Sequence, residues 1–290
     1  MYPPRFDYVA PTSLDEVLEL LDEHADDCKI LAGGQSLIPV LKLRFASPEI
    51  VIDVNNIPEL QQIRHEGDEL VIGSMVRHHV LADNPDLEPI FRVITRAGHW
   101  VADPIVRNLG TVGGSLVHAD PRGDWATVML ALDAELVIRS QEDGERRVKM
   151  TDFLQAMFTT HIEPEELLTE IRIKKPSGRT GGTYVKLERR IGDYATAAAA
   201  IHLELAGDGS IANAGVGLTA VAPTNIKVPS AEQMLIGQQP SAGLFDQVAD
   251  ACAAACNPES DIRGSAAYKR AVVRTFVRRG LDEALAHAQA

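Results

Sequence analysis

The sequence predicts an α+β chain in two parts, and three observations carry that reading. Strand-like and helix-like segments alternate up to about residue 176. A cluster of turn and basic residues, PSGRTGG at 176–182, then breaks the pattern. Beyond it, long strand-like segments come first and helical segments last, the order of a small antiparallel sheet followed by helices. The predicted domains are therefore 1–176 and 177–290.

The elements follow in order. TSLDEVLELLDEH at 12–24 predicts an amphipathic helix, because Leu14, Val17, Leu18 and Leu21 share one face. Ser13 and Glu16 form a capping box at its start. KILAGG at 29–34 reads as a short buried strand ending on a diglycine. SLIPVLKLR follows with helical character, and Pro39 is tolerable because it falls near the first turn. IVIDV at 50–54 and ELVIGS at 69–74 read as strands, and 75–83 and 86–101 as helices. DPIVRNLGTVGGS at 103–115 reads as a loop leading toward an apolar helix at 124–134. Strands are expected at 134–140 and 166–176, then within 183–205 and 210–223. Helices are expected at 230–237, 243–256 and 265–286.

A chain of 290 residues can bury a sizeable core in one large or two ordinary domains. Its formal net charge of −13 repels nucleic-acid phosphates and anionic membrane surfaces alike, so neither is an expected partner. The start, MYPPRFDYVAPTS, has no apolar stretch of the kind a secretory leader needs. No apolar run is long enough for a transmembrane helix. The three cysteines, Cys28, Cys252 and Cys256, are too sparse for a disulfide framework and point to the cytoplasm. Cys252 and Cys256, four apart in ACAAAC, read as small core residues. An iron–sulfur cluster normally takes four thiolates, so this chain is not expected to hold one.

The chemistry sits in glycines. AGGQS at 32–36 and TVGGS at 111–115 repeat one design 80 residues apart. Each has a hydroxyl residue close behind its diglycine, Ser36 in one and Ser115 in the other. Such loops expose consecutive backbone N–H groups with no side chain in the way, which makes a nest for an anion. Two of them face to face could hold a diphosphate from both sides. A single diglycine is usually only a turn; two with matching flanks weigh the readings about evenly. Neither loop contains Lys or Arg, although Lys42 and Arg107 flank them. Neither is a dinucleotide fingerprint or a Walker loop.

Other candidates are weaker. His78 and His79 are adjacent, point apart on a helix, and read as solvated. His118 and Asp120 in SLVHADPRGD could suggest acid–base work, yet Asp-Pro and Arg-Gly are ordinary turn chemistry. No nucleophile elbow and no H-E-x-x-H pair occur. Catalytic residues and a metal site are therefore not predicted.

With AGGQS, TVGGS, HADPRGD, ERRIGDYATAAAA at 188–200 and RGSAAYKRAVV at 263–273 in view, the chain resembles the FAD-binding medium subunit of molybdenum-containing hydroxylases. That is the xanthine dehydrogenase and carbon monoxide dehydrogenase group. The resemblance covers essentially the whole chain, and KLERRIGDYATAAAA is most like the carbon monoxide dehydrogenase branch. It implies a FAD-binding domain of the p-cresol methylhydroxylase (PCMH) type in two α/β subdomains. A C-terminal domain with a three-stranded antiparallel sheet and helices would follow. Ala32, Gly33, Gly34, Gln35 and Ser36 would contact the FAD diphosphate and its neighbours, and Thr111, Val112, Gly113, Gly114 and Ser115 would do so from the other side. Asp124 would accept hydrogen bonds from the cofactor. Leu168, through its backbone, and Lys186 would lie near the flavin ring, and Tyr194 would lie beside it and restrict access. Small residues follow Tyr194, and they suit either a flat ring or tight sheet packing. Gln35 stands where relatives often carry His, and no proton-transfer role is assigned to it.

The resemblance further implies partners: a large subunit with the molybdenum cofactor, a small subunit with two [2Fe–2S] clusters, and a dimer of heterotrimers. Electrons would reach the FAD from those clusters and leave to an external acceptor such as quinone. The complex would be cytoplasmic or peripheral at the inner membrane face. Two other readings are a self-sufficient flavin oxidoreductase of the same fold and a scaffold that has lost its cofactor.

Overall fold

The computed structural model describes residues 2–290; residue 1, the start of the first predicted domain, lies outside the described residues. The chain opens with β1 (Asp7–Val9), α1 (Leu14–His24), β2 (Cys28–Leu31), α2 (Leu37–Lys42) and β3 (Ile50–Asp53). The strands form a small parallel sheet in the order β1-β3-β2. Helix α1 buries Leu14, Val17, Leu18 and Leu21, the face its spacing predicts. Ser13 caps it by accepting from the Glu16 N–H (3.3 Å), while the Glu16 carboxylate reaches back to the Thr12 N–H (2.9 Å). The reciprocal arm of the capping box is thus displaced by one residue.

A second unit follows: β4 (Ile63–Glu66), β5 (Glu69–Gly73), α3 (His78–Ala82), α4 (Arg92–Trp100), α5 (Pro104–Leu109), α6 (Val112–His118), α7 (Trp125–Ala131), β6 (Glu135–Ser140) and β7 (Gly144–Lys149). The one-turn α8 (Met150–Phe153), the small ribbon β8 (Leu154–Ala156) and β9 (Thr159–Thr160), and β10 (Leu167–Lys174) complete it. Its five-stranded antiparallel sheet has the order β4-β5-β10-β6-β7. The expected loop at 103–115 is instead two helices, because Asp103 and Thr111 each cap a new one by accepting the N–H three residues on. The edge strands β4 and β7 escape the sequence pattern because neither alternates cleanly between apolar and polar residues.

The last unit is β11 (Arg179–Leu187), β12 (Ala197–Leu205), β13 (Ile211–Thr219), β14 (Ile226–Lys227), α9 (Pro229–Leu235), α10 (Ala242–Ala255) and α11 (Ala266–Gln289). Its antiparallel sheet has four strands in sequence order, where three are expected; the added β14 is two residues long. This sheet lies between two helical layers. Helices α4 and α7 pack on one side, and α11, backed by α10, packs on the other. The small run 197–200 is fully buried: Ala198 and Ala200 enter one core, and Ala197 and Ala199 enter the other. Tight sheet packing, rather than a flat ligand, accounts for those alanines.

Two histidines are buried without charge. His202 in β12 stacks on Phe91 (6.4 Å between ring centroids), and burial holds its pKa down at about 4. His78 is held at about 3, again mainly by burial. The unfolded chain takes up these protons near pH 6.5 and the folded chain refuses them. Stability is therefore fully present above about pH 6.5 and falls as the pH drops toward about 4. A melting-temperature series from pH 7 to pH 4 should show that fall, and His202→Phe, which preserves the stacking on Phe91, should flatten part of it.

Candidate functional site

The two diglycine segments meet. β2 ends at Leu31, and the chain turns at once against the end of α5. A Cβ on Gly33 would stand 2.3 Å from the Leu109 carbonyl oxygen and 2.6 Å from Gly110 Cα, so no side chain fits there. Gly34 adopts a left-handed φ of 69°. Among the described residues, the backbone N–H groups of Gly33, Gly34, Gln35 and Ser36 donate to no acceptor in the chain. The carbonyls of Gly34 and Ser36 instead start α2 by accepting from Ile38 and Val40 (3.1 and 3.2 Å). The Gln35 side chain folds back to donate to the Gly33 carbonyl (3.0 Å).

The second segment is built differently. It opens α6, and its amides are already committed. Val112 donates to Val76 O (3.0 Å), Gly113 to Ser74 O (2.8 Å) and Ser115 to Thr111 O (3.1 Å). Gly114 donates to the Thr111 hydroxyl (3.1 Å). Gly113 is buried, and a Cβ there would lie 2.6 Å from both Ser74 Cβ and Ser74 O. A Cβ on Gly114 would be in ordinary contact with Ala32 Cβ at 3.5 Å, so the two segments touch. The expected pair of equal nests is therefore one open nest, at 33–36, beside a helix start that acts as its wall.

Residues outside both motifs hold this arrangement. The Arg77 guanidinium donates to the Leu109 carbonyl and to Asn55 Oδ1 (2.5 Å). Asn55 in turn donates to the Ala32 carbonyl (2.9 Å). The flanking cations do not serve the nest: Arg107 donates to the carbonyls of Val101 (2.9 Å) and Ala102 (3.1 Å), and Lys42 is exposed at the end of α2. His78 is not solvated as expected. Its Nδ1 accepts the Trp125 indole N–H (2.9 Å), which fixes α3 to α7.

A second group of predicted residues gathers where the C-terminal sheet meets α7. Asp124 lies just before α7 and is 7% exposed. Its Oδ1 accepts from the Tyr184 hydroxyl (2.6 Å) and its Oδ2 from Lys186 Nζ (3.2 Å). Lys186 also donates to the Trp100 carbonyl (3.0 Å). Burial pushes the Asp124 carboxyl up, and Lys186 and Tyr184 pull it back. Polar contacts continue through Thr219 and Thr127 to Asn225, whose amide donates to the Gly123 carbonyl (2.9 Å). Tyr184 shares a face of β11 with Lys186, two residues away, and that spacing is the signal the sequence offered for it.

Leu168 is buried in β10, next to a bulge before Glu170. Thr169 in that bulge accepts from the Ser74 N–H (2.9 Å), so Leu168 is tied through Ser74 to Gly113. Tyr194 is 48% exposed at the end of the 188–194 loop. A cavity of about 400 Å³ opens beside this loop, between Trp100, Arg107, Glu188 and Ile191. The diglycine residues do not line it.

Comparison with known proteins decides the family. Residues 4–176 match the FAD binding domain in molybdopterin dehydrogenase, and residues 182–284 match the CO dehydrogenase flavoprotein C-terminal domain. The chain belongs to this flavoprotein family. It is 39% identical to the carbon monoxide dehydrogenase medium chain of Hydrogenophaga pseudoflava over 99% of both chains. It is 36% identical to subunit alpha of the 6-hydroxypseudooxynicotine dehydrogenase complex of Paenarthrobacter nicotinovorans, over 100% of this chain and 97% of that one. The solved Hydrogenophaga pseudoflava carbon monoxide dehydrogenase superposes with a TM-score of 0.94 at 40% identity and 99% coverage of both chains. The protein is thus a FAD subunit of a molybdenum hydroxylase, an oxidoreductase component that uses FAD. Four free amides on a loop that has no room for a side chain at Gly33 fit the anionic end of that cofactor.

Two outcomes test this geometry. Gly33→Val should remove FAD from a folded chain, because the two segments can no longer close; Gly113→Val should also lower the melting temperature, because it invades the buried Ser74 backbone. FAD content and thermal unfolding on each purified variant read this directly. Lys186→Met should destabilise the chain by about 3–5 kcal/mol, since it strands a buried carboxylate. Adding Asp124→Leu should recover a large part of that loss in a denaturant titration.

Proposed function

We propose that this chain is the medium subunit of an aerobic carbon monoxide dehydrogenase, where it binds FAD and controls which molecules reach the flavin. The observation that carries the reading is the full-length similarity to a carbon monoxide dehydrogenase medium chain. A large partner would carry the molybdenum cofactor and oxidise the substrate. A small partner would carry two [2Fe–2S] clusters, and the whole would be a cytoplasmic or peripheral dimer of heterotrimers. When bound, FAD supplies the redox centre that takes electrons from those clusters and passes them to an acceptor such as quinone. The division of the chain falls at 176/177.

The chain's own residues have distinct tasks in this reading. The amides of Gly33, Gly34, Gln35 and Ser36 bind the diphosphate, and Ala32 sets the turn that presents them. Thr111, Val112, Gly113, Gly114 and Ser115 form the opposing wall. Asp124 keeps lone pairs beyond those used by Tyr184 and Lys186, and accepts from a cofactor hydroxyl or amide. Lys186 would lie near the flavin ring and would supply a hydrogen-bond donor there. The Leu168 backbone would lie near the ring as well, and Tyr194 would lie beside it and restrict access.

The test is to purify the chain with its neighbouring subunits and record a visible spectrum with cofactor extraction. The expected result is one FAD per chain, together with molybdenum and iron–sulfur absorption that carbon monoxide bleaches. Bleaching by a heterocycle or an aldehyde, but not by carbon monoxide, would move the substrate assignment to another branch. Turnover by the chain alone, without iron or molybdenum, would establish the self-sufficient oxidoreductase instead.

A further inference from the structure

Three sequence motifs converge on one turn of the C-terminal unit. The turn is Asp261–Gly264, closed by backbone hydrogen bonds in both directions between its end residues (3.1 Å each). Asp261 Oδ2 accepts from Arg122 Nη2 (2.8 Å), in the HADPRGD segment, and from Lys269 Nζ (2.9 Å), at the start of α11. Asp261 Oδ1 accepts from the Arg263 N–H (2.8 Å). Arg263 reaches the other way. Its Nη2 donates to Asp193 Oδ1 (2.7 Å), and the same oxygen accepts the Tyr194 N–H (2.8 Å).

Tyr194 is therefore addressed from both ends. On the backbone side, Asp193 is held by Arg263, whose side chain is 11% exposed. On the hydroxyl side stands Asp120, whose carboxylate adds to burial in raising the Tyr194 phenol. Asp120 is itself part of a turn, accepting from the Arg122 N–H (2.9 Å), and Arg122 is the residue anchored on Asp261. The rest of the 188–194 loop is wedged. Gly192 donates to Glu188 Oε1 (3.2 Å), and a Cβ on Gly192 would stand 3.1 Å from the Ala102 carbonyl. Arg263 Nε is buried with no partner. A buried donor left without an acceptor costs stability, so fold stability alone is a weak reason for this arginine.

We infer that Arg263 and Asp261 are positioning residues for Tyr194: the Asp261–Gly264 turn sets both the backbone and the hydroxyl surroundings of that side chain, and through it the exposure of the flavin face. The inference rests on the reading that Tyr194 lies beside the ring. The experiment uses the FAD-loaded full-length chain and measures FAD stoichiometry, flavin fluorescence yield and the iodide quenching constant. Tyr194→Ala reports the fully uncovered flavin. Arg263→Ala should retain FAD at the wild-type ratio while its quenching constant rises severalfold toward that of Tyr194→Ala, and Arg263→Lys should restore most of the protection. If Arg263→Ala does not fold or does not hold FAD, Asp193→Asn is measured in its place. It keeps an acceptor for the Tyr194 N–H and removes the charge that Arg263 grips. Wild-type fluorescence and quenching in Arg263→Ala, or in that substitute, alongside a clear effect of Tyr194→Ala, overturns the positioning role alone. No effect of Tyr194→Ala itself overturns both the placement of Tyr194 and the inference built on it.

Discussion

The site depends on a buried charge pair at the seam between the C-terminal sheet and the rest of the chain. Lys186 on β11 and Asp124 at the head of α7 meet out of water, and the Tyr184 hydroxyl donates to the same carboxylate. Desolvating both ions is expensive, and the Coulombic return is large only if the geometry holds. The sheet must therefore dock on α7 in one register, which carries Thr219 onto Thr127 and brings the 188–194 loop beside Trp100 and Ala102. A hydrophobic seam could tolerate sliding. This one resists it, because a small displacement leaves a charge unpaired.

A second constraint is steric and acts some distance away. The 32–36 and 109–114 segments approach so closely that backbone lies against backbone. The carbonyl of Leu109 takes the Arg77 guanidinium, and the carbonyl of Ala32 takes the Asn55 amide. Carbonyls that would repel a phosphate are occupied in this way, while the amides of 33–36 are left free. Arg77 thus fixes the loop through Leu109 and Asn55, without lying in either glycine motif.

Much of this was legible in the sequence, for reasons that differ by element. Helix α1 could be read because its apolar face and its cap coincide. The C-terminal sheet could be read because long buried strands leave continuous apolar runs, but the two-residue β14 leaves none. The 103–115 segment misled because glycines and a proline suggest a loop, while Asp103 and Thr111 use those same residues to start short helices. The diglycines suggested two equal nests, and the structure has one open nest beside a committed helix start. Sequence shows that side chains are missing at Gly113 and Gly114, but not that Ser74 and Thr111 already hold the amides. Arg77 and Asn55 were missed because their roles come from partners 22 to 32 residues distant, which spacing along one element cannot reveal, and Tyr184 because its partner Asp124 lies 60 residues away, although its place two residues from Lys186 was visible.

The net charge of −13 gives these details a common logic. An acidic chain offers an anionic cofactor no long-range attraction, so binding must come from short-range groups placed where water is excluded. Backbone amides suit that task, because they carry no counter-charge that the acidic surface could neutralise. The nearby cations are already engaged: Arg77 and Arg107 on carbonyls, and Lys186 on Asp124. Lys186 differs from the two arginines in having a carboxylate partner with lone pairs to spare. The free amides and the buried charge pair are thus separate structures, one backbone and one side chain, and a substitution can damage either while sparing the other.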